Sequence, residues 1–249
     1  MTMATYAGEV GTATCCSDAA IAPALGIPVD RSRNGLLGFD AAFTGAAGAR
    51  FGARVKAVAT RVGLDPGLLA TNLLAEIQQP AAWLSAAPIR SFDVGVDYWH
   101  EEQRGIRALV PAAAAIRQKV RRDQSGRPIH FINEVGRDTG PTYVFASGGD
   151  GMLALASAVA YRNVRLRRSL PAGAYDRMSP AVRFAAVRAA FNAGFSVGLK
   201  MIQQAAAGRD PLIRRGPVGP RHPRRTATVR AGQAIHLSCA VFGNALPCP

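Results

Sequence analysis

The sequence has few cysteines and no long apolar run. Its 249 residues include only 4 cysteines, at positions 15, 16, 239 and 248. None forms a CxxC pair or lies beside a histidine, which argues against zinc ligation. Cys239 and Cys248 would either close a small disulfide loop or remain two reduced thiols. No apolar run approaches the roughly 18 residues of a membrane helix, so we expect no transmembrane segment.

Acidic and aromatic residues are also scarce. The 16 acidic residues stand against 30 lysines and arginines, a net charge of +14, and aromatic residues make up 7% of the chain. Such a balance favours a polyanionic partner: nucleic acid, an anionic membrane or a bacterial envelope polymer. Nucleic-acid binding rests on charge alone, because no helix-turn-helix, zinc-finger or RNP-type pattern occurs and the arginines are not interleaved with aromatic residues.

Runs of β-branched residues are few and alanine-rich segments are many, which favours helices over strands. The hydrophobic fraction of 49% is sufficient for a packed core. A loop-rich stretch with one short strand pair is expected over residues 125–151. Apolar periodicity predicts helices over residues 51–62, 66–78, 101–122, 151–168 and 180–206, with Pro111 kinking or restarting the third.

These elements predict a mainly α-helical domain over residues 45–207, with a small extended or loop region after the second helix. Residues 1–44, rich in glycine, alanine, threonine and serine, predict an irregular N-terminal segment. Residues 208–249 predict a basic arm rich in proline and arginine, followed by a short C-terminal element.

An acidic residue stands on the apolar stripe of the second predicted helix. Asp65 is expected to cap that helix and Pro66 to occupy its first position. Leu69, Leu73 and Glu76 follow at the i, i+4 and i+7 positions, which share one helix face. Burial would raise the carboxyl pKa and keep Glu76 protonated, as glycosidases require of a general acid. The alternative is a rim position, where the carboxylate reaches solvent or pairs with an arginine.

Two short motifs resemble the lysozyme-like superfamily of lytic transglycosylases and goose-type lysozymes. GLDPGLLATNLLAEI, residues 63–77, is similar to the family helix in which a D-P-x-L-L start leads to a single catalytic glutamate. AAFNAG, residues 189–194, is similar to the A-Y-N-A-G motif on a later helix that faces the cleft. The sequence departs from the family at Ile77, where serine is usual, and at Phe191, where tyrosine is usual. It also lacks the G-L-M-Q segment.

The resemblance implies a lysozyme-like fold and cleavage of peptidoglycan between N-acetylmuramic acid and N-acetylglucosamine. Glu76 would protonate the glycosidic oxygen. A lytic transglycosylase then closes an anhydro ring with the substrate's own hydroxyl and needs no second carboxylate. A hydrolytic muramidase instead positions a water, and a second acid helps. Asp93 and Asp97, which follow the glutamate helix, are the candidates for that acid.

Polar and aromatic residues near these acids are candidates for the sugar subsites. Ser91, Tyr98 and Trp99 would line them, since aromatic faces pack against sugar rings. The alternative is an ordinary turn with a buried Tyr-Trp pair. By carry-over from the second motif, Phe191 and Asn192 would face the cleft; the alternative for Asn192 is a helix-interior asparagine bonded to the backbone.

The remaining motifs predict no cofactor and no metal. HEEQR, residues 100–104, lacks the second histidine of a zincin. SGGDG, residues 147–151, lacks both the P-loop lysine and the GxGxxG spacing, so it predicts a turn followed by a helix N-terminus. Glu134 and Asp138 are expected to be solvated loop charges. A thiol hydrolase built on Cys16 has no local signature to support it.

The sequence also carries an expectation about where the protein acts. The first residues lack a basic region followed by an apolar one, so we expect synthesis in the cytoplasm without a Sec signal. The protein would then reach the envelope or periplasm by lysis or by non-Sec delivery, with a secretion apparatus or an immunity protein as partner. Peptidoglycan is the expected substrate, and anionic envelope polymers are expected ligands of the basic surface. The alternative is a non-catalytic, lysozyme-like component of a secretion or phage-like machine that binds envelope or nucleic acid.

Overall fold

The structure is a computed structural model that describes residues 45–66, 68–69, 72, 84–90, 97–133, 135–209 and 211. Within these ranges the chain is mainly helical, as the sequence predicts. No helix in this part of the chain is long and apolar enough to cross a membrane. The helices are α1 Gly45–Val62, α2 Asp97–Leu109, α3 Gly148–Arg168, α4 Pro180–Asn192 and α5 Phe195–Ala206, with a 3-10 helix over Pro111–Ala115. The strands are β1 Ile89–Arg90, β2 Gln118–Val120, β3 His130–Ile132, β4 Asp138–Pro141 and β5 Tyr143–Phe145.

Helix α3 forms the centre of the fold. Residues 150–160 are all buried, and α3 packs against α1, α2, α4 and α5. Most of these residues are alanine, glycine or serine, so neighbouring helices can approach closely. Ser147 caps the helix, because its hydroxyl oxygen accepts a hydrogen bond from the Asp150 N–H at 3.2 Å. The turn and helix start predicted for residues 147–151 are confirmed.

The strands form two small antiparallel sheets; β1 precedes α2 in the sequence, and the other four strands lie between α2 and α3. In the first, β5 is central and pairs with both β1 and β2; in the second, β3 pairs with β4. The prediction of a helix over residues 101–122 is wrong in its second half. Pro111 cannot continue the hydrogen-bond ladder of α2, and residues 118–120 pair instead with Tyr143–Phe145, a partner more than twenty residues away.

The helix predicted over residues 180–206 is two helices. Helix α4 ends at Asn192, and Gly194 adopts a φ of 95°, a backbone conformation that glycine tolerates and other residues rarely adopt. Helix α5 then packs back along α4. The contact is closest at Gly198, where an added Cβ would lie 2.3 Å from the Ala186 carbonyl oxygen. This glycine therefore sets the distance between the two helices.

The close approach of α4 and α5 at Gly198 predicts that alanine is tolerated less well there than at Gly151 in α3. Gly198→Ala should lower the free energy of unfolding by about 1–3 kcal/mol, because the methyl group must displace backbone atoms. Gly151→Ala in α3 is the matched control, since its Cβ would meet Phe145 at an ordinary 3.6 Å. It should be neutral or stabilising by up to about 1 kcal/mol through helix propensity. Urea unfolding of both variants measures the difference; equal effects would contradict the close packing at Gly198.

Candidate functional site

The first motif begins its helix as the sequence predicts. The Leu68 N–H donates to the Asp65 side-chain oxygen at 3.2 Å, and the Leu69 N–H donates to the Asp65 carbonyl at 3.1 Å. Asp65 is therefore the N-cap, and Pro66 occupies the first helical position, where its missing N–H costs nothing. Leu68 and Leu69 are buried, so this helix begins with its apolar face in the core.

Local hydrogen bonds also order the turn that leads from α1 into this helix. Gly63 has a φ of 71°, and the Leu64 N–H donates to the Ala59 carbonyl at 2.9 Å. The Gly63 N–H donates to the Thr60 carbonyl at 3.2 Å. Together these bonds form the Schellman motif that ends α1. The chain thus passes from α1 to the Asp65 cap within three residues.

A buried hydrogen bond joins the first of the two motifs to α4, the helix in which the second motif begins. Asn72 is fully buried; its side-chain nitrogen donates to the Leu68 carbonyl at 2.9 Å. The Asn72 Oδ1 accepts a hydrogen bond from Arg188 Nη1 at 3.1 Å, across 116 positions of sequence. Arg188 belongs to α4 and is only 4% exposed. The structure therefore brings the segment after Asp65 and the helix that ends at Asn192 into direct polar contact.

Phe191, one of the predicted cleft residues, lies in the core. It is 1% exposed, and the Arg188 guanidinium carbon lies 5.8 Å from its ring centroid. A ring this buried has no face available to a sugar, so the prediction that it contacts substrate is corrected. Asn192 is the last residue of α4, and its side chain lies outside what the structure describes.

Trp99 is likewise a core residue. Its ring is fully buried in α2, with its Nε1–H donating to Gln118 Oε1 at 2.7 Å. The Phe145 ring packs edge-on at a centroid distance of 6.3 Å, and the Arg107 guanidinium carbon lies 5.2 Å from the indole centroid. Trp99 therefore anchors α2 to the first sheet. The prediction that it lines a sugar subsite is corrected for the same reason as for Phe191.

The other predicted site residues stay predictions. Glu76, Ser91 and Asp93 lie outside the described residues. Asp97 and Tyr98 form the first positions of α2, but their side chains also lie outside the description.

Several of the acidic residues that the structure describes pair with basic neighbours. Glu102 of α2 pairs with Arg162 and, at 3.5 Å, with Arg165, which ties α2 to α3. Burial alone would raise the pKa of Asp150, but hydrogen bonds from Ser147 and Arg117 outweigh it and hold that pKa below its ordinary value. Among the described residues no group of three or more histidines, cysteines and acids could hold a metal ion.

His100, the first residue of HEEQR, is a buried packing residue. It is 4% exposed, and neither ring nitrogen has a hydrogen-bond partner. The ring stacks on Tyr143 at a centroid distance of 5.6 Å and lies 5.9 Å from the Phe131 centroid. Burial lowers the pKa of His100 from 6.5 to about 4, so the imidazole is neutral at physiological pH.

The sequence analysis did not identify Asn72 and Arg188, the two residues that connect the first motif to α4. A signal for Arg188 was present, because it is the central charge in FAAVRAAF, an otherwise apolar stretch. A buried arginine needs acceptors, and buried polar groups of this kind are rarely left unpaired. Nothing in the sequence identifies Asn72 as its partner, since the two lie more than a hundred residues apart.

No protein-family model, curated protein or solved structure matches this chain.

The Asn72–Arg188 bond predicts a strong energetic coupling. Asn72→Ala and Arg188→Met should each destabilise the protein by about 2 kcal/mol, because buried hydrogen bonds to charged groups contribute about 1.5–3 kcal/mol. The double variant should lose less than the sum, with a coupling of at least about 1 kcal/mol. The exposed Arg167–Asp176 pair, 2.7 Å apart, is the control and should couple by under about 1 kcal/mol. Similar coupling in the two cycles would contradict the role assigned to the buried bond.

The buried imidazole predicts a loss of stability in acid. The folded pKa of about 4 lies below the unfolded value of 6.5, so the unfolded chain binds the extra proton between these two values. The contribution of neutral His100 is therefore complete above pH 6.5 and decreases as the pH falls towards 4, by at most about 3 kcal/mol. His100→Phe keeps the stacking and removes this proton. The variant should show a shallower pH dependence of unfolding over that interval; parallel curves would contradict the burial.

Proposed function

We propose that this protein cleaves the glycan strands of peptidoglycan, with Glu76 as the general acid. The observation that carries the proposal is the hydrogen bond between Asn72 and Arg188. It joins Asn72 of the first motif, which resembles the glutamate helix of the lysozyme-like superfamily, to Arg188, the residue directly before the second motif, which resembles the cleft helix.

The spacing of the first motif connects this contact to the candidate acid. Glu76 follows Asn72 by four residues, the separation that brings two side chains together on one face of a helix. If the helix that begins at Pro66 continues as its apolar periodicity predicts, Glu76 would lie one turn beyond Asn72 on the same face. Asn192 is the last residue of α4, one turn beyond Arg188, and is the candidate hydrogen-bonding residue of the cleft.

The chemistry requires a carboxyl group that is protonated before the bond breaks. Glu76 would donate its proton to the glycosidic oxygen as the bond to the anomeric carbon lengthens. In a lytic transglycosylase the muramic acid's own hydroxyl then attacks that carbon, and the Glu76 carboxylate takes the hydroxyl proton. In a hydrolytic muramidase water attacks instead, and Asp93 or Asp97 would assist. The net charge of +14 would hold either enzyme near the anionic envelope.

A second candidate function is a non-catalytic component that binds the envelope. Its support is the burial of Trp99 and Phe191, since two of the aromatic rings expected at sugar subsites are core residues. Phe191 stands where the family has tyrosine and Ile77 where it has serine, so two hydroxyl groups of the family's site are missing. Such a protein would retain the helical framework and the basic surface without cutting the glycan.

Digestion of purified peptidoglycan by the wild type and by Glu76→Gln distinguishes these functions. Glutamine keeps the shape of the side chain and removes the donated proton, so release of soluble muropeptides should fall at least a hundredfold, within the ~10²–10⁴ that general acids contribute. Mass spectrometry of the products identifies the reaction. Anhydro ends, one water lighter, indicate a transglycosylase, and reducing ends indicate a muramidase.

Glu101→Gln is the matched control, because Glu101 is an exposed glutamate of α2 and the substitution removes the same charge. It should digest peptidoglycan as the wild type does. Equal activity of wild type and Glu76→Gln would remove Glu76 from the mechanism. A wild type that releases nothing but sediments with peptidoglycan would instead favour the non-catalytic component.

A further inference from the structure

The β3–β4 hairpin exposes two large hydrophobic side chains. Among the residues that the structure describes, three large hydrophobic side chains are exposed, and two of them belong to this hairpin. Ile132 at the end of β3 is 55% exposed, and Val135 in the connecting turn is 84% exposed. Two branched aliphatic side chains three positions apart form a small apolar tip.

The turn that presents Val135 is ordered by several hydrogen bonds. The Asn133 side-chain oxygen accepts from the backbone N–H of Val135 at 3.2 Å and of Arg137 at 3.0 Å. The Gly136 N–H donates to the Asn133 carbonyl at 2.9 Å, and Gly136 has a φ of 76°, which glycine allows. Val135 is therefore held outward by the fold and does not belong to an unstructured loop.

The opposite face of the hairpin is attached to the body of the protein. Phe131 is half-buried against the His100 ring of α2, at a centroid distance of 5.9 Å. Thr139 of β4 donates its hydroxyl hydrogen to the Phe131 carbonyl at 3.2 Å. Because side chains alternate along a strand, anchoring Phe131 inward directs Ile132 outward. The apolar tip is thus a fixed surface feature.

The same β region is basic. Residues 117–138 hold six lysines and arginines against three acidic residues, and Lys119, Arg122, Arg127 and Arg137 are all exposed. The acidic side chains described there have polar partners: Asp123 accepts from Ser125 at 2.7 Å, and Asp138 lies 2.6 Å from His130 Nδ1. A positive surface with an aliphatic tip matches a partner that is anionic outside and hydrocarbon beneath.

We propose that the β3–β4 hairpin docks on anionic lipid bilayers. Ile132 and Val135 enter the boundary between headgroups and acyl chains, while Arg137 and the neighbouring basic side chains contact lipid phosphates. Nucleic acid also attracts cations, but it has no acyl-chain layer for a pair of exposed aliphatic side chains to enter, and its single strands favour stacked aromatic side chains. This inference does not rest on the proposed function, because it requires neither peptidoglycan nor Glu76.

Sedimentation of the full-length protein with vesicles tests the proposal. Vesicles of phosphatidylcholine alone are compared with vesicles that also contain phosphatidylglycerol, at fixed ionic strength. The wild type should bind the anionic vesicles, and Ile132→Ser with Val135→Ser should weaken that binding by about tenfold, because aliphatic burial is lost. Val135→Trp should strengthen it, since tryptophan favours the bilayer interface.

Two controls separate the hairpin from the general charge of the chain. Leu84→Ser removes the third exposed hydrophobic side chain, outside the hairpin, and should not change the partition. Arg137→Gln should lower binding to anionic vesicles about fivefold, whereas Arg168→Gln, an exposed arginine at the end of α3, should lower it less.

Several results would overturn the proposal. One is a wild type that does not bind anionic vesicles, or that binds neutral ones equally well. Another is a double serine variant that binds as the wild type does, since net charge alone would then explain adsorption. A third is a double serine variant that loses binding to single-stranded DNA as strongly as to vesicles, because the hairpin would then recognise polyanions without using hydrocarbon.

Discussion

The burial of helix α3 on every side is the constraint on which the rest of the structure depends. A helix surrounded by other elements cannot carry charge along its middle, and residues 150–160 contain no charged side chain after Asp150. The charges of α3 stand nearer its ends instead. Asp150 lies at the start, and Arg162, Arg165, Arg167 and Arg168 lie in the last two turns, an arrangement of signs that the helix dipole favours. Small side chains between them let α1, α2, α4 and α5 pack closely.

Around this apolar centre, a few polar contacts between helices determine how the helices are positioned relative to one another. The Glu102–Arg162 pair ties α2 to α3, and the Asn72–Arg188 bond ties the capped helix after Asp65 to α4. An apolar interface of alanines would tolerate sliding by a turn, whereas a buried guanidinium bonded to one amide favours a single register. The same contact joins the first motif to the helix in which the second motif begins.

Features that depend on residues close in the sequence could be predicted from the sequence. The Asp65 cap, the Ser147 turn and the apolar run of α3 each depend on neighbours within four residues. Features decided by distant partners could not be predicted. Residues 118–120 form a strand because β5 pairs with them, Trp99 is buried because Gln118 and Phe145 surround it, and Arg188 finds its acceptor 116 positions away.

The most direct test of this account is where a glycan strand binds. A soluble peptidoglycan tetrasaccharide can be titrated into isotopically labelled Glu76→Gln protein, with the backbone amides and the buried arginine Nε–H resonances followed by NMR. The account predicts that the largest shifts occur at Asn72, at the Arg188 side chain and at residues 191–194, where the two motifs meet. Shifts confined to the β3–β4 hairpin, or spread over the basic surface without these residues, would contradict it.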